Sequence, residues 1–377
     1  MSDQPMIWVS DDASLAQYCA QWQHLPVLAL DTEFIRTTTF FPRPALLQVS
    51  DGEACYLIDP LTLNDVAPLR EVLTSGPLKI LHSCSEDLEV FKGWLQLVPA
   101  PVVDTQIAAA FAGLDSGMGY QRLVDTLLDI QLDKGETRSD WLQRPLTESQ
   151  QHYAAQDVAW LLPLWAKLLN RLAGQAPIAG CERLDIVMQE GESLVREARM
   201  TTDDAESYWR VRQAWRLDSR GLQVLRALCI WREERCRERD IPRSRVASDG
   251  LLQSLCEQLP ESLPQLAQLE EASPGWIKQS GREVLGLIQQ AQAVPRQEWP
   301  KPLPNPTAPE YKQLRKQWRE RLKTLAEQHG LSPELLVRRK QMEQWIAEQL
   351  AGQPVTLPAD WPQWRRLLLA DVLGAPA

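Results

Sequence analysis

Residues 27–34 have the sequence VLALDTEF, in which four apolar residues lead into Asp31, Thr32 and Glu33. An apolar run that ends in polar residues is typical of a buried strand whose carboxyl end reaches the surface. Side chains alternate across a strand, so we expect Asp31 and Glu33 on one face and Thr32 on the other. Neighbouring carboxylates repel each other unless a cation lies between them, and divalent ions prefer oxygen ligands. The pattern favours a metal site, although a strand that ends in a polar turn fits these residues as well.

Two more carboxylates and a phenol occur in suggestive positions downstream. Asp87 begins a predicted helix just after an apolar run at 78–82, and Tyr153 and Asp157 lie one turn apart on a helix predicted over 147–169, which opens with a capping box. Four carboxylates brought together in this way suit phosphodiester hydrolysis by two metal ions, which lie about 3.5–4 Å apart. Oxygen ligands without a nearby histidine or cysteine set favour Mg²⁺ or Mn²⁺ over Zn²⁺. Taken singly, each acid also fits an ordinary helix end or helix face.

The segments between these acids predict a mixed sheet with helices packed on it. Residues 45–51 and 53–60 predict two strands that form a hairpin about Asp51 and Gly52. Strand-like and helix-like segments then alternate, and Asp104 is placed to cap one of the helices. An antiparallel start followed by such alternation indicates a mixed sheet.

Size and composition indicate a globular protein of two or three domains. The chain has 377 residues, of which 44% are hydrophobic and 24% charged. Its seven cysteines never form a CxxC pair, and we expect them to be reduced in the cytoplasm. We recognise no signal peptide and no apolar run of membrane-spanning length, so we expect no membrane association.

The charge is distributed unevenly along the chain, whose formal net charge is −10. Residues 1–180 contain 11 Lys and Arg against 22 Asp and Glu, whereas residues 181–377 contain 29 against 28. The acidic half suits a cation-dependent site. The second half is rich in arginine and is still able to present basic faces to a nucleic acid.

Composition divides the chain into four parts. We predict an α/β domain over residues 1–200, a helical domain over 210–294, a proline-rich linker over 295–309 and a second helical domain over 310–377. The linker contains six prolines, which favour a semi-rigid extended segment. The two helical domains are of similar length and are candidates for related modules.

Five separated motifs resemble those of the ribonuclease D family, the tyrosine-containing branch of the four-acid 3′–5′ exonucleases. In chain order they are LALDTEF, HSCSEDLEVF, VVDTQIAAAF, SDWLQRPL and HYAAQDVAWL. The resemblance covers residues 5–172 and continues beyond them. Residues 221–293 resemble a helicase-and-RNase-D C-terminal (HRDC) domain, and residues 310–377 resemble a second, more divergent copy. It implies an α/β ribonuclease H-like exonuclease domain with a mixed sheet flanked by helices, followed by two small all-α HRDC domains.

The resemblance also implies the roles of individual residues. The two divalent metal ions would be bound by four acids, namely Asp31, Glu33, Asp87 and Asp157. Asp31 would bridge the ions, and Tyr153 would orient the attacking water, because an unperturbed phenol, with a pKa of about 10, is a poor general base. The products would be nucleoside 5′-monophosphates. Phe34 would stack on the terminal base, although a role in the core is as compatible with its position.

The resemblance implies that the substrate is RNA with a single-stranded 3′ end, especially tRNA precursors. We expect the protein to be a monomer. Arg232, Arg235 and Arg239 recur at helical spacing and predict a basic stripe that contacts RNA phosphates. Further basic clusters occur in the second helical domain. Solvated charged helix faces are common, so ion pairing within the protein is the alternative interpretation.

Three other functions remain open at this point. A DNA exonuclease uses the same acids, but the chain contains no GxxxxGK[ST] phosphate-binding loop of a helicase. A non-catalytic RNA-binding protein would not need all four acids and the tyrosine. An acid–base hydrolase that works without metal would remain active in chelator.

Overall fold

The computed structural model describes residues 4–132, 135–136, 139–200 and 204–373. The outer ends of the predicted domains, at 1–3 and 374–377, and residues 201–203 between the first two domains lie outside the described residues. Within the described part, an α/β unit precedes two helical units, which confirms the predicted fold class.

Six strands form one mixed sheet in the described residues. They are β1 (Met6–Val9), β2 (Val27–Ile35), β3 (Arg43–Ser50), β4 (Cys55–Ile58), β5 (Leu78–Leu81) and β6 (Val102–Asp104). Their order is β1-β4-β3-β2-β5-β6, with β3 antiparallel to both of its neighbours and the other pairs parallel. The predicted hairpin is the β3–β4 connection, where the Asp51 carboxylate accepts the backbone N–H groups of Glu53 and Ala54. Strand β2, which contains the VLALDTEF stretch, is therefore central, between β3 and β5.

The apolar residues of β2 alternate between two cores, as the period of a strand requires. Ala29 belongs to the core on one face of the sheet, whereas Leu28 and Leu30 belong to the core on the other face. The alternation continues into the polar end of the strand. It places Asp31 and Glu33 on the face of Ala29, and Thr32 on the opposite face.

Eight helices accompany the sheet in the described part of the α/β unit. They are α1 (Asp12–Trp22), α2 (Ala67–Thr74), α3 (Ser85–Leu95), α4 (Thr105–Phe111), α5 (Tyr120–Leu128), α6 (Glu148–Ala159), α7 (Leu161–Ala173) and α8 (Arg183–Arg199). Two predicted caps are confirmed. Asp104 accepts the backbone N–H of Gln106, and Thr147 and Gln150 form the predicted capping box.

The single helix predicted over 147–169 is wrong, because the chain forms α6 and α7 with a break at Trp160. Pro163 explains the break. Its nitrogen has no hydrogen to donate to the carbonyl of Ala159, and its ring crowds that carbonyl. The helix is therefore interrupted before Pro163. Proline is tolerated in the first turn of α7, where N–H groups lack helical acceptors in any case.

The two helical units repeat one arrangement, in which a long helix is followed by a very short one and then by further helices. The first unit has α9 (Ser219–Arg239), α10 (Arg243–Val246), α11 (Asp249–Gln258), α12 (Leu263–Leu266) and α13 (Pro274–Ala293); the second has α14 (Pro309–Gln328), α15 (Pro333–Leu336), α16 (Arg339–Leu350) and α17 (Gln363–Leu373). Short 3₁₀ helices occur at Asp204–Arg210, Ala214–Arg216 and Arg296–Glu298. This shared order agrees with the prediction of related modules.

The second helical unit shares its core with the α/β unit. Trp364 of α17 is fully buried, and its ring meets Phe111 of α4 edge-on at 5.3 Å between centroids. The indole N–H of Trp364 donates to Glu190 of α8 at 2.9 Å, and Arg365 donates to the other oxygen of the same carboxylate at 2.7 Å. Buried contacts therefore hold the second helical unit against the α/β unit.

The first helical unit contacts the loop that follows β2. Phe40 packs against the core of this unit, and the guanidinium of Arg243 lies 4.9 Å from the centre of its ring. The carboxylate of Asp240, just after α9, accepts the backbone N–H groups of Phe40 and Phe41 at 3.0 and 2.9 Å. The loop next to the acidic end of β2 is thus attached to the neighbouring unit.

None of the helices formed by the described residues is both long and apolar enough to cross a membrane.

Candidate metal centre

The acidic end of β2 lies beneath helix α6. The thiol of Cys55, on β4, contacts the backbone carbonyl of Ala155 at 3.5 Å, so α6 covers this face of the sheet. Asp157 lies two positions further along α6. Single carboxylate oxygens of Asp31, Glu33 and Asp157 lie within 4.8 Å of one another. Residues far apart in the chain thus form one group of three acids.

Asp87 reaches the same region from the first turn of α3. It is 7% exposed, and its carboxylate accepts a hydrogen bond from the hydroxyl of Thr32. Its charge raises the pKa of both Asp31 and Glu33, so it lies close to them, although it is outside the group of three. Thr32 and Asp31 point to opposite faces of β2. Asp87 therefore approaches the end of β2 on the face that carries Thr32.

The turn that carries Asp87 is held by Asp104. The Asp104 carboxylate accepts the backbone N–H groups of Ser83 and Cys84 at 2.9 and 3.0 Å, in addition to capping α4. Ser83 has a φ of 56°, a left-handed conformation that costs free energy for a residue other than glycine. The sequence predicted the cap but not this second role, since nothing local to Asp104 shows that β5 and β6 are neighbours.

Burial raises the pKa of all four carboxyl groups. It is the largest cause for Glu33, whose pKa rises to about 9, with repulsion from Asp157 and Asp87 adding to it. The pKa values of Asp87 and Asp157 rise to about 7, each partly offset by a hydrogen bond from Thr32 or Tyr153. The pKa of Asp31 lies well above its usual range. A divalent cation would relieve this repulsion, and the arrangement fits such an ion.

Tyr153 lies one turn before Asp157 and shares a hydrogen bond with it. Burial and the nearby carboxylates raise the pKa of the phenol. The hydroxyl is therefore neutral at pH 7 and suited to donating a hydrogen bond. Both side chains line a small cavity of about 120 Å³ along α6. A larger cavity of about 710 Å³ lies between β6 and α8 and is lined by none of the predicted site residues.

Phe34 follows Glu33 at a bulge, where the pairing of β2 with β3 shifts by one residue. Its side chain is partly exposed. A partly exposed ring beside the acids is compatible with contact to a base, which stays a prediction.

The predicted arginine stripe on α9 is not a continuous exposed surface. Arg232 is 4% exposed and donates to the carboxylate of Asp249 at 2.7 Å and to the carbonyl of Ala247 at 3.2 Å. Arg235 forms ion pairs with two glutamates, and Arg239 is exposed. The interpretation of one free stripe is wrong, because the face that contains Arg232 packs against α11. RNA contact by Arg239 stays a prediction.

One buried residue beside the acids was missed in the sequence. Gln48 lies directly opposite Asp31 in the β2–β3 pairing and is completely buried. A glutamine inside the apolar strand ALLQVS was the available signal.

Comparison with known families agrees with this arrangement. Residues 6–173 match the family model of a 3′–5′ exonuclease, residues 221–288 that of the HRDC domain, and residues 309–373 that of the C-terminal HRDC domain of ribonuclease D. The matched ranges do not fix where each domain begins and ends, so the predicted domain boundaries stay proposals.

Similar proteins extend the comparison to the whole chain. Ribonuclease D of Pseudomonas paraeruginosa is 42% identical over 367 residues, and ribonuclease D of Escherichia coli is 38% identical over 371; each alignment covers 97% of this chain and 96% of the relative. The crystal structure of E. coli RNase D, described as an exoribonuclease involved in structured RNA processing, has a TM-score of 0.86 at 35% identity. The structural alignment covers 99% of this chain and 98% of the E. coli chain.

A mixed sheet with an acidic cluster at the end of β2, matched by an exonuclease family model, defines a 3′–5′ exonuclease. Exonucleases of this family depend on divalent metal ions, and the HRDC domains imply RNA binding. The chain belongs to the ribonuclease D family, and it is a 3′–5′ exoribonuclease. The predicted family and enzyme class are confirmed.

Proposed function

We propose that the protein trims the 3′ ends of tRNA precursors and other small structured RNAs by two-metal-ion hydrolysis. The observation that carries the proposal is the convergence of Asp31, Glu33 and Asp157 within 4.8 Å, with Asp87 beside them. Four acids that lie close together and have raised pKa values destabilise a protein unless they bind a cation. Such a group is expected to be kept for binding and not for stability.

The ligand atoms favour Mg²⁺ or Mn²⁺. In the described part of the chain the group consists of carboxylates alone, and hard oxygen ligands suit these ions better than Zn²⁺. When bound, two such ions would lower the pKa of water and compensate the negative charge that develops on the phosphate and the leaving oxygen.

The protein's own residues have distinct proposed roles. Asp31 lies close to Glu33, Asp87 and Asp157, and it would contact both ions. Thr32 holds the carboxylate of Asp87 in a fixed orientation through its hydroxyl. Tyr153 would donate its phenolic hydrogen bond and orient the attacking water, because its raised pKa makes it a weak base. The products would be nucleoside 5′-monophosphates.

The helical units would bind the body of the RNA while its single-stranded 3′ end reaches the acids. Exposed cations support this part of the proposal. Arg239 ends α9, and Arg319, Arg321 and Lys323 are exposed on α14, although Lys323 also pairs with Glu327 at 3.7 Å. Contacts of this kind bind phosphates with little sequence preference and weaken in salt.

One chain supplies all the acids, so a monomer is sufficient for the proposed activity. All seven cysteines are free, which agrees with a reducing compartment such as the cytoplasm.

The proposal is tested with an end-labelled tRNA precursor, with and without chelator, beside a DNA strand of the same sequence. We expect release of mononucleotides from the RNA in Mg²⁺ and none in chelator. Asp31→Asn and Asp87→Asn should each slow hydrolysis by more than about a hundredfold. Removing a single group that stabilises a transition state typically slows a reaction by at least this factor. Glu86→Gln, which changes the exposed neighbour of Asp87, is the matched control and should stay active.

Three outcomes would contradict parts of this proposal. A fully active Asp31→Asn enzyme with unchanged circular dichroism would exclude the metal mechanism. Activity that persists in chelator would favour an acid–base hydrolase. Faster digestion of the DNA strand would make DNA the substrate.

A further inference from the structure

Gln48 has an environment that the fold alone does not explain. Its side chain is completely buried, and among the described residues neither its amide nitrogen nor its amide oxygen has a hydrogen-bond partner. Burying a primary amide without partners costs free energy, and native proteins pair nearly all such groups. The neighbouring strand residues Leu46 and Leu47 show that an apolar side chain is compatible with β3.

The register of the sheet places Gln48 at the acid cluster. Its Cα pairs with that of Asp31, and directly opposed residues of antiparallel strands project from the same face. Leu47 and Val49 belong to the core on the other face, which confirms the orientation. Gln48 therefore lies on the face that α6 covers, next to the acid expected to contact both ions.

We propose that Gln48 is a positioning residue of the metal centre, with an amide that hydrogen-bonds the ionised Asp31 carboxylate and water held by the ions. The inference rests on the proposed function. An amide suits this position because it supplies a donor to the carboxylate and an acceptor to water while adding no charge to a crowded acidic group. Its partners would be complete only when the ions are bound.

The test is Gln48→Met, which keeps the length of the side chain and removes its strong hydrogen-bonding groups. Without metal, this variant should melt at a higher temperature than the wild type, because a buried amide without partners is removed. Its affinity for Mn²⁺, measured by calorimetry without RNA, should fall by about tenfold or more, as for other groups that orient metal ligands. A residue with a purely structural role would not give these two opposite effects.

Gln223→Met is the matched control. Gln223 is 4% exposed in α9, and its amide oxygen also lacks a hydrogen-bond partner in the described part of the protein. This substitution should leave the affinity for Mn²⁺ unchanged. Gln48→Glu is a second variant, which keeps an oxygen acceptor but adds a charge. In chelator at pH 8, the melting temperature of Gln48→Glu should be lower than that of the wild type. Mn²⁺ should raise the melting temperature of this variant by more than it raises that of the wild type.

The outcomes separate the two proposals. A wild-type protein that does not bind Mn²⁺ overturns the proposed function itself. A wild-type protein that binds Mn²⁺, together with a Gln48→Met variant of equal affinity, overturns only the role of Gln48. A Gln48→Met variant that is less stable in chelator, or a Gln48→Glu variant that Mn²⁺ stabilises no more than the wild type, also overturns that role.

Discussion

Metal binding by this enzyme should strengthen steeply with pH, because the ions must bind carboxylates that are protonated in the metal-free protein. The pKa of Glu33 is raised from its usual 4.5 to about 9. At pH 7 such a group is ionised in only about 1% of molecules, and at pH 9 it is ionised in about half of them. Glu33 alone should therefore increase the apparent affinity for Mn²⁺ by about fiftyfold between pH 7 and pH 9.

The same shift fixes the sign of the effect on stability. A carboxyl group with a raised native pKa stabilises the fold fully below its unfolded value of 4.5, and this stabilisation is lost as pH rises through about 9. The melting temperature in chelator should thus fall between pH 6 and pH 9. Saturating Mn²⁺ should reduce this fall, because the ions bind the native state preferentially. Below pH 7, protonation of Asp87 and Asp157, whose pKa values are about 7, should weaken metal binding further.

Calorimetric titration with Mn²⁺ from pH 6 to pH 9, in two buffers of different ionisation enthalpy, measures both the affinity and the protons released. Glu33→Gln is the informative control, since it removes one titrating carboxyl group and should reduce the pH dependence between pH 7 and pH 9. An affinity that stays constant over this interval would refute the reasoning. So would a Glu33→Gln variant with the same pH dependence as the wild type.

Two further predictions concern the attachment of the helical units. Trp364→Ala should lower the free energy of unfolding by about 3–5 kcal/mol in denaturant, because it leaves a cavity in the shared core. Trp209 is 44% exposed, and Trp209→Ala should lower the free energy of unfolding by about 1 kcal/mol or less. Asp240→Gly should increase chymotryptic cleavage after Phe40 by about fivefold, because it removes the acceptor of two backbone N–H groups while suiting the left-handed backbone. Asp240→Asn, which keeps an acceptor, should be cleaved like the wild type; equal cleavage of both variants would show that these bonds do not hold the loop.

Local sequence patterns were sufficient for much of the fold. The Asp51-Gly52 turn, the cap at Asp104 and the capping box all formed where they were predicted, since each depends on residues within a few positions. The break at Trp160 was also encoded locally, by Pro163, and was missed. Element ends differed by a few residues, since packing decides where a helix or strand frays.

The interactions of the α9 arginines depended on long-range packing. Their helical spacing was read correctly, but the spacing does not show which face of the helix is buried. Arg232 lies against α11 and binds Asp249, so its charge is satisfied inside the protein. The partners of a charged residue are decided by packing between elements that sequence spacing alone does not reveal.

The sequence by itself determined that Asp31 and Glu33 share one face of a strand, because alternation is a property of every extended chain. It also carried the ordered motifs that identify the family. Only the tertiary structure decided that Asp157 meets these acids, that Thr32 holds Asp87, and that Gln48 is buried opposite Asp31. Those contacts join distant segments, and their geometry follows from the strand register and helix packing of the whole domain, which no local pattern specifies.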